Sequence, residues 1–169
     1  MFIDRLEITA EIQDLAAAAC VELMHAYDVV LEPTQQRWDD SDEVLFSGVM
    51  GFVSDSVRGT CLLAAPESTL RAAAPDAAIL RDWVGELANQ LVGRLKSKLM
   101  ARGETIKLST PVVLSGVRLS PLPRTQAQPA LFASSAGRVM VWLEGEVAPD
   151  FELGAERPLC ASEGEFLMF

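Results

Sequence analysis

Two β-rich runs, 44–53 and 57–64, are separated only by Ser54-Asp55-Ser56. Runs of β-branched and apolar residues joined by so short a polar connection form an antiparallel hairpin. A parallel pair needs a crossover of about a dozen residues or more, so this one feature narrows the fold sharply. The pattern recurs at 129–134 and 138–147, which flank Ser135-Ala136-Gly137. Further β-like runs lie at 105–109, 112–119 and Val29-Val30-Leu31, the last stopped by Pro33. Pro121-Leu122-Pro123 marks a loop. Strands arranged in hairpins predict an α/β chain of the α+β type. We expect a mostly antiparallel or mixed sheet of about six strands, with helices packed on it. Glycine-rich phosphate-binding motifs of the nucleotide folds are absent from the sequence. Gly48, Gly51 and Gly59 inside the first hairpin predict bulges or close backbone approach.

Helical periodicity is clear in two places. Ile12, Leu15, Ala16, Ala19 and Leu23 fall on one face of a helix over about 9–26, with Thr9 as its cap and Glu11 near its positive end. A short helix is expected from Pro66 to Ala73. The main helix is expected from Pro75-Asp76 to about residue 102, stopped by Gly103. Its core stripe is Leu80, Val84, Leu87, Leu91 and Leu95. On the opposite side Asp82, Glu86, Asn89, Gly93 and Lys96 fall within an arc of about 80°. The steps alternate four and three, so the five form one ridge. That ridge is poorly chosen for stability. Asp82 and Glu86 are like charges one turn apart, Asn89 is a mediocre helix former, and Gly93 costs ~1 kcal/mol against alanine while admitting another backbone. A plain solvated face also explains acids, an amide and a lysine on an outer surface, and composition alone favours that explanation.

Length and charge bound the remainder. The 169 residues fit one domain, expected over 1–149, with an acidic tail over 150–169 that ends in the apolar Phe166-Leu167-Met168-Phe169. Acidic residues number 24 against 14 basic, a net charge of −10, which repels polyanions and argues against nucleic acid as a partner. No apolar run is long enough to span a bilayer, and Met1 to Arg5 lacks the apolar stretch of a leader, so a cytoplasmic protein is expected. Cys20, Cys61 and Cys160 are odd in number and widely spaced, which fits reduced thiols better than disulfides or zinc. Cys20 and Cys61 lie in apolar runs and are expected in the core. His25 is the only histidine and sits near a helix carboxyl end, where its charge is favoured. The run Asp39-Asp40-Ser41-Asp42-Glu43 lacks the spacing of a calcium loop. Trp38, Trp83 and Trp142 are scattered, and Trp83 lies beside the ridge, where it could line a docking site.

The series Asp82-Trp-Val-Gly-Glu86-Leu-Ala-Asn89, then Gly93, Lys96 and Ile106-Lys-Leu-Ser-Thr-Pro111, resembles the CheC/CheX/FliY family of chemotaxis phosphatases. Its signature is an Asp or Ser, a Glu four residues later, an Asn three after that, and a Pro some twenty further on. The resemblance covers about residues 9–147 and shows one copy of the motif, as in CheX-like members. The step from Asn89 to Pro111 is one residue shorter than the family pattern, and Arg94 stands where a second Asn is common. The resemblance implies that Glu86 pairs with the active-site lysine of a phosphorylated response-regulator receiver domain. It implies that Asn89 holds the attacking water in line with the aspartyl phosphate. Asp82 would support the helix and Pro111 would bend the chain between strands. Asp82, Gly93 and Lys96 would join Glu86 and Asn89 in binding the partner. No cofactor of its own is implied, the Mg²⁺ belonging to the receiver, and a homodimer is expected. The alternative is a non-catalytic module that docks a response regulator or flagellar switch component. A third reading is an assembly domain with an ordinary wet helix.

Overall fold

The computed structural model describes residues 6–36, 43–117 and 128–157. Thr9 caps helix α1 (Ala10–His25), accepting from the Ile12 N–H at 3.4 Å. Between Ser54 and Val57, strands β3 (Val44–Val53) and β4 (Val57–Pro66) turn back on each other, with Ser54 Oγ accepting from the Ser56 and Val57 N–H groups. Helices α2 (Glu67–Ala73) and α3 (Leu80–Ala101) follow directly. Strands β5 (Lys107–Leu108), β6 (Val112–Val117), β7 (Ala130–Ser134) and β8 (Gly137–Val147) complete the sheet, together with β1 (Leu6–Glu7) and β2 (Glu32–Pro33).

All described pairings are antiparallel, in the order β2-β7-β8-β4-β3-β5, with β1 added to β8 and β6 added to β3. Among the described residues eight strands stand where about six were expected, the surplus being two-residue edge pieces too short to leave a periodic signal. The segment Val29-Val30-Leu31 is not a strand. Val29 and Leu31 point into the core, and pairing begins only at Glu32–Pro33. Pro33 is tolerated in that strand because β2 is an edge and one side needs no donor. Likewise only Lys107–Leu108 of the 105–109 run pairs. The glycines of the first hairpin make no bulge. Pairing runs unbroken from Leu45↔Pro66 to Val53↔Arg58. Gly48 and Gly59 instead allow close approach: a Cβ on Gly48 would lie 2.6 Å from Ala88 Cβ, and one on Gly59 would lie 2.7 Å from Glu144 O.

One core joins α1 and α3 to alternate residues of the central strands, including Met50, Phe52, Cys61, Leu63, Val141 and Leu143. Every residue of the expected α3 stripe is buried, and Ala88 and Val92 are buried too, because this helix meets both α1 and the sheet. The other sheet face carries a separate cluster of Leu62, Ala64, Met140 and Trp142. Burial pushes the thiols of Cys20 and Cys61 up, the latter to about 12, so both are unreactive core filler at neutral pH. Lys98 and Arg102 of α3 bind Glu22 and Glu11 of α1 at 2.6 and 2.7 Å, so two cations near the carboxyl end of α3 fasten the helix pair. Past β8, Phe151 and Leu153 pack on the core and the Arg157 N–H donates to Ala101 O at 2.9 Å. Residues 158–169, with Cys160 and the apolar Phe166–Phe169 end, lie outside the described residues, as do Trp38, the 39–42 acidic run and Pro121–Pro123. No helix among the described residues is long and apolar enough to cross a membrane.

Candidate functional site

Helix α3 starts at Leu80, four residues later than Asp76. Ala77 takes a left-handed conformation, φ 61°, which no continuing right-handed helix accommodates. Ile79 then occupies the cap position with no side-chain hydrogen bond, and is 68% exposed. The late start places Asp82 in the first turn, where the helix dipole favours a carboxylate. At the far end the helix stops as expected. Gly103 has φ 89°, the Gly103 N–H bonds Met100 O at 3.0 Å and the Glu104 N–H bonds Leu99 O at 2.9 Å, a Schellman arrangement.

Asp82, Glu86 and Asn89 are exposed, as the wheel predicts. Opposite them the strand on the outer side of β3 is interrupted. Phe52 pairs with Leu108 and Val49 with Val112, so three steps along β3 match four along its neighbour. One extra residue is therefore accommodated across Ser109-Thr110-Pro111, as in a bulge. The segment is held by the Ser109 N–H donating to Gly51 O and by the Gly51 N–H donating to Ser109 Oγ, both at 2.9 Å. Pro111 thus sits where the chain bends between two strands, and its missing N–H falls where the ladder is already broken.

Helix and bulge together enclose an open groove of about 780 Å³. α3 contributes Asp82, Gly85, Glu86 and Asn89, the bulge contributes Ser109, Thr110 and Pro111, and Ile79, Arg81 and Val113 complete the lining. Gly85 is what lets β6 come so near, since a Cβ there would lie 3.0 Å from Val113 Cγ2. Asn89 and Asp82 make no side-chain hydrogen bond among the described residues, so the amide is free to serve a ligand. Glu86 Oε1 accepts from Gln90 Nε2 at 2.9 Å, which leaves Oε2 available. Arg81 is the only cation among the groove residues. Among the described residues there is no group of three or more His, Cys, Asp or Glu able to hold a metal ion.

Two members of the expected ridge lie apart from the groove. Gly93 and Lys96 are half-buried further along α3. Gly93 does not admit a neighbouring backbone of this chain, because a Cβ there would meet nothing within 4 Å. Gly93→Ala is accordingly expected to raise stability by ~1 kcal/mol, read as a higher melting temperature; a lower one would show that something covers this position. Trp83 is not a groove residue either. It packs on the core, edge-on to Tyr27 with ring centroids 5.1 Å apart. The sequence reading missed Ile79, Arg81, Gly85 and Val113. Of these only Gly85, a glycine inside a helix, carried a visible signal. A larger cleft of about 930 Å³ lies by the β3–β4 turn, lined in part by Thr60, Lys107 and Glu144, and its Arg58 is already paired with Glu146 at 2.6 Å.

An antiparallel sheet backed by a helix pair thus sets an acid and an amide, one turn apart, facing a proline-closed bulge. The chain belongs to the chemotaxis phosphatase CheX family, whose model matches residues 46–132. Solved structures agree on the fold. A CheC-like superfamily protein from Shewanella sp. PV-4 is 19% identical, with a TM-score of 0.67 over 82% of this chain and 99% of that one. The chemotaxis protein CheX from Vibrio vulnificus is 23% identical, with a TM-score of 0.67 over 81% and 97%. CheX in the CheX–CheY–BeF3–Mg²⁺ complex from Borrelia burgdorferi is 16% identical, with a TM-score of 0.52 over 82% and 96%. No curated protein sequence matches the chain.

Proposed function

We propose that this protein dephosphorylates the aspartyl phosphate of a response-regulator receiver domain, with Glu86 and Asn89 as the working pair. The observation that carries the reading is their joint exposure in the groove between α3 and the Pro111 bulge. Support comes from family membership and from a relative held in complex with CheY and Mg²⁺.

The chemistry asks little of the helper. An acyl phosphate is already activated, and its outer oxygens are neutralised by Mg²⁺ in the receiver. Water attacks phosphorus, the bond to the aspartyl oxygen breaks, and the products are inorganic phosphate, a proton and a free carboxylate. Asn89 suits the positioning task because its amide both donates and accepts, so it can orient the water without carrying charge. Fixing a loose water is worth at most the ~7–11 kcal/mol of ideal intramolecular cases, and one amide supplies only part of it. Glu86 meets a cation of the receiver and sets the docked pose. Asp82 steadies the first turn, while Gly93 and Lys96 extend the contact along the helix. The domain spans 1–149, the start of the 150–169 tail is docked on its core through Phe151 and Leu153, and the protein acts as a cytoplasmic homodimer.

The test is phosphate-release kinetics on a panel of phosphorylated receivers, with and without the protein. Faster release from at least one receiver is expected. Tight binding without faster release would instead identify a docking module. Glu86→Ala is expected to weaken association about tenfold, the loss of one charge-assisted contact of ~1.5 kcal/mol, with a smaller effect on the bound rate. Undiminished affinity in that variant would remove Glu86 from the interface.

A further inference from the structure

We infer that Tyr27 is a positioning residue for Glu86, acting through Gln90; this rests on the reading of Glu86 as a partner-binding carboxylate. The bond from Gln90 to Glu86 spans four residues of α3 and by itself is an ordinary helix-surface pair. Gln90, however, is held from a different element. Tyr27 Oη donates to Gln90 Oε1 at 2.9 Å, across 63 positions of sequence. The direction of the chain is dictated by its last member. A carboxylate only accepts, so the amide turns its NH₂ toward Glu86 and its oxygen toward the hydroxyl.

Tyr27, the single tyrosine of the chain, is itself fixed. Its ring stands at 85° to Trp83, which packs on the core. The turn that carries it is closed by the Val29 N–H on Met24 O at 3.0 Å, with Asp28 at φ 61°. The relay therefore runs from the core, through a half-buried hydroxyl and an amide, to an exposed carboxylate in the groove. It restricts the rotamers of Glu86 before a partner arrives, so less side-chain freedom is lost on binding. It also occupies Oε1 and leaves Oε2 turned to the incoming cation.

The experiment measures KM and kcat for receiver dephosphorylation with Tyr27→Phe, Gln90→Met, Glu86→Ala and the Glu86→Ala/Tyr27→Phe double variant. Tyr27→Phe keeps the ring on Trp83 and removes only the hydroxyl. Each relay variant is expected to raise KM roughly three- to tenfold, with the smaller change in kcat. Tyr27→Phe should add nothing once Glu86 is absent. An unchanged KM in Tyr27→Phe, or an equal rise in the Glu86→Ala background, overturns the inference; a purely structural hydroxyl would lower only the melting temperature. If the wild type speeds no receiver, the functional reading fails separately, and the relay is judged by the Gln90 side-chain amide resonances. Movement of that signal in both Tyr27→Phe and Glu86→Ala sustains the relay, and a stationary signal in either overturns it.

Discussion

Asn89→Ala is expected to lower the receiver dephosphorylation rate about 10²-fold while the protein melts at the same temperature or slightly higher. The rate loss follows from removing the helix-borne amide that holds the water in both senses, comparable to deleting one fixed donor at a transition state, ~2.7 kcal/mol. The unchanged melting follows from position. Asn89 is exposed, has no side-chain hydrogen bond among the described residues, and gives way to a better helix former. A catalytic loss with a folded protein is thus separable from unfolding in a single pair of measurements. Retention of full turnover by this variant would end the proposed mechanism, whatever the family relationship.

Gly48→Ala is expected to destabilise the fold by ~2–3 kcal/mol, the size seen when a packed core is overfilled. At this chain length that is a drop in melting temperature of about 4–12 °C. Gly48 lies in β3 between Leu63 and Val113, directly under α3. A Cβ there would meet Ala88 Cβ at 2.6 Å and the backbone oxygen of Val84 at 2.7 Å. Neither can turn aside, because one is a methyl fixed to its backbone and the other is in the helix ladder. The helix must lift or the strand must sink. Lifting α3 opens the groove on Glu86 and Asn89, so turnover should fall even though neither residue is touched. Gly93→Ala is the matched control: the same substitution on the helix that Gly48 faces, in open space, with the opposite sign. Gly48→Ala melting like the wild type would mean that α3 does not rest on β3 as described.

The α3 stripe was legible because its residues repeat at the helical period, and burial confirms each one. The exposure of Asp82, Glu86 and Asn89 followed from the same wheel, since a face opposite a buried stripe has only solvent or a partner to meet. The hairpins were legible because the connecting residues are too few for any other path. The misreadings share a cause. Asp76 looked like a helix start because it follows proline, yet Ala77 adopts a left-handed conformation that local propensity disfavours, in a turn where the Ala78 N–H bonds Pro75 O at 3.2 Å. Val29 to Leu31 looked like a strand because burial and pairing leave the same apolar signature over three residues.

What the sequence determined by itself was periodicity: which side of each element is apolar, where the chain must turn, and which polar groups are left facing out. What only the tertiary structure decided was adjacency. Nothing along the chain announces that Ser109 to Pro111 would lie against the first turns of α3, that Gly85 would let Val113 close the groove, or that Tyr27 would reach Gln90. The physical reason is that a side chain's face is set by neighbours three or four residues away. A site is set by contacts between segments brought together only when the whole core closes.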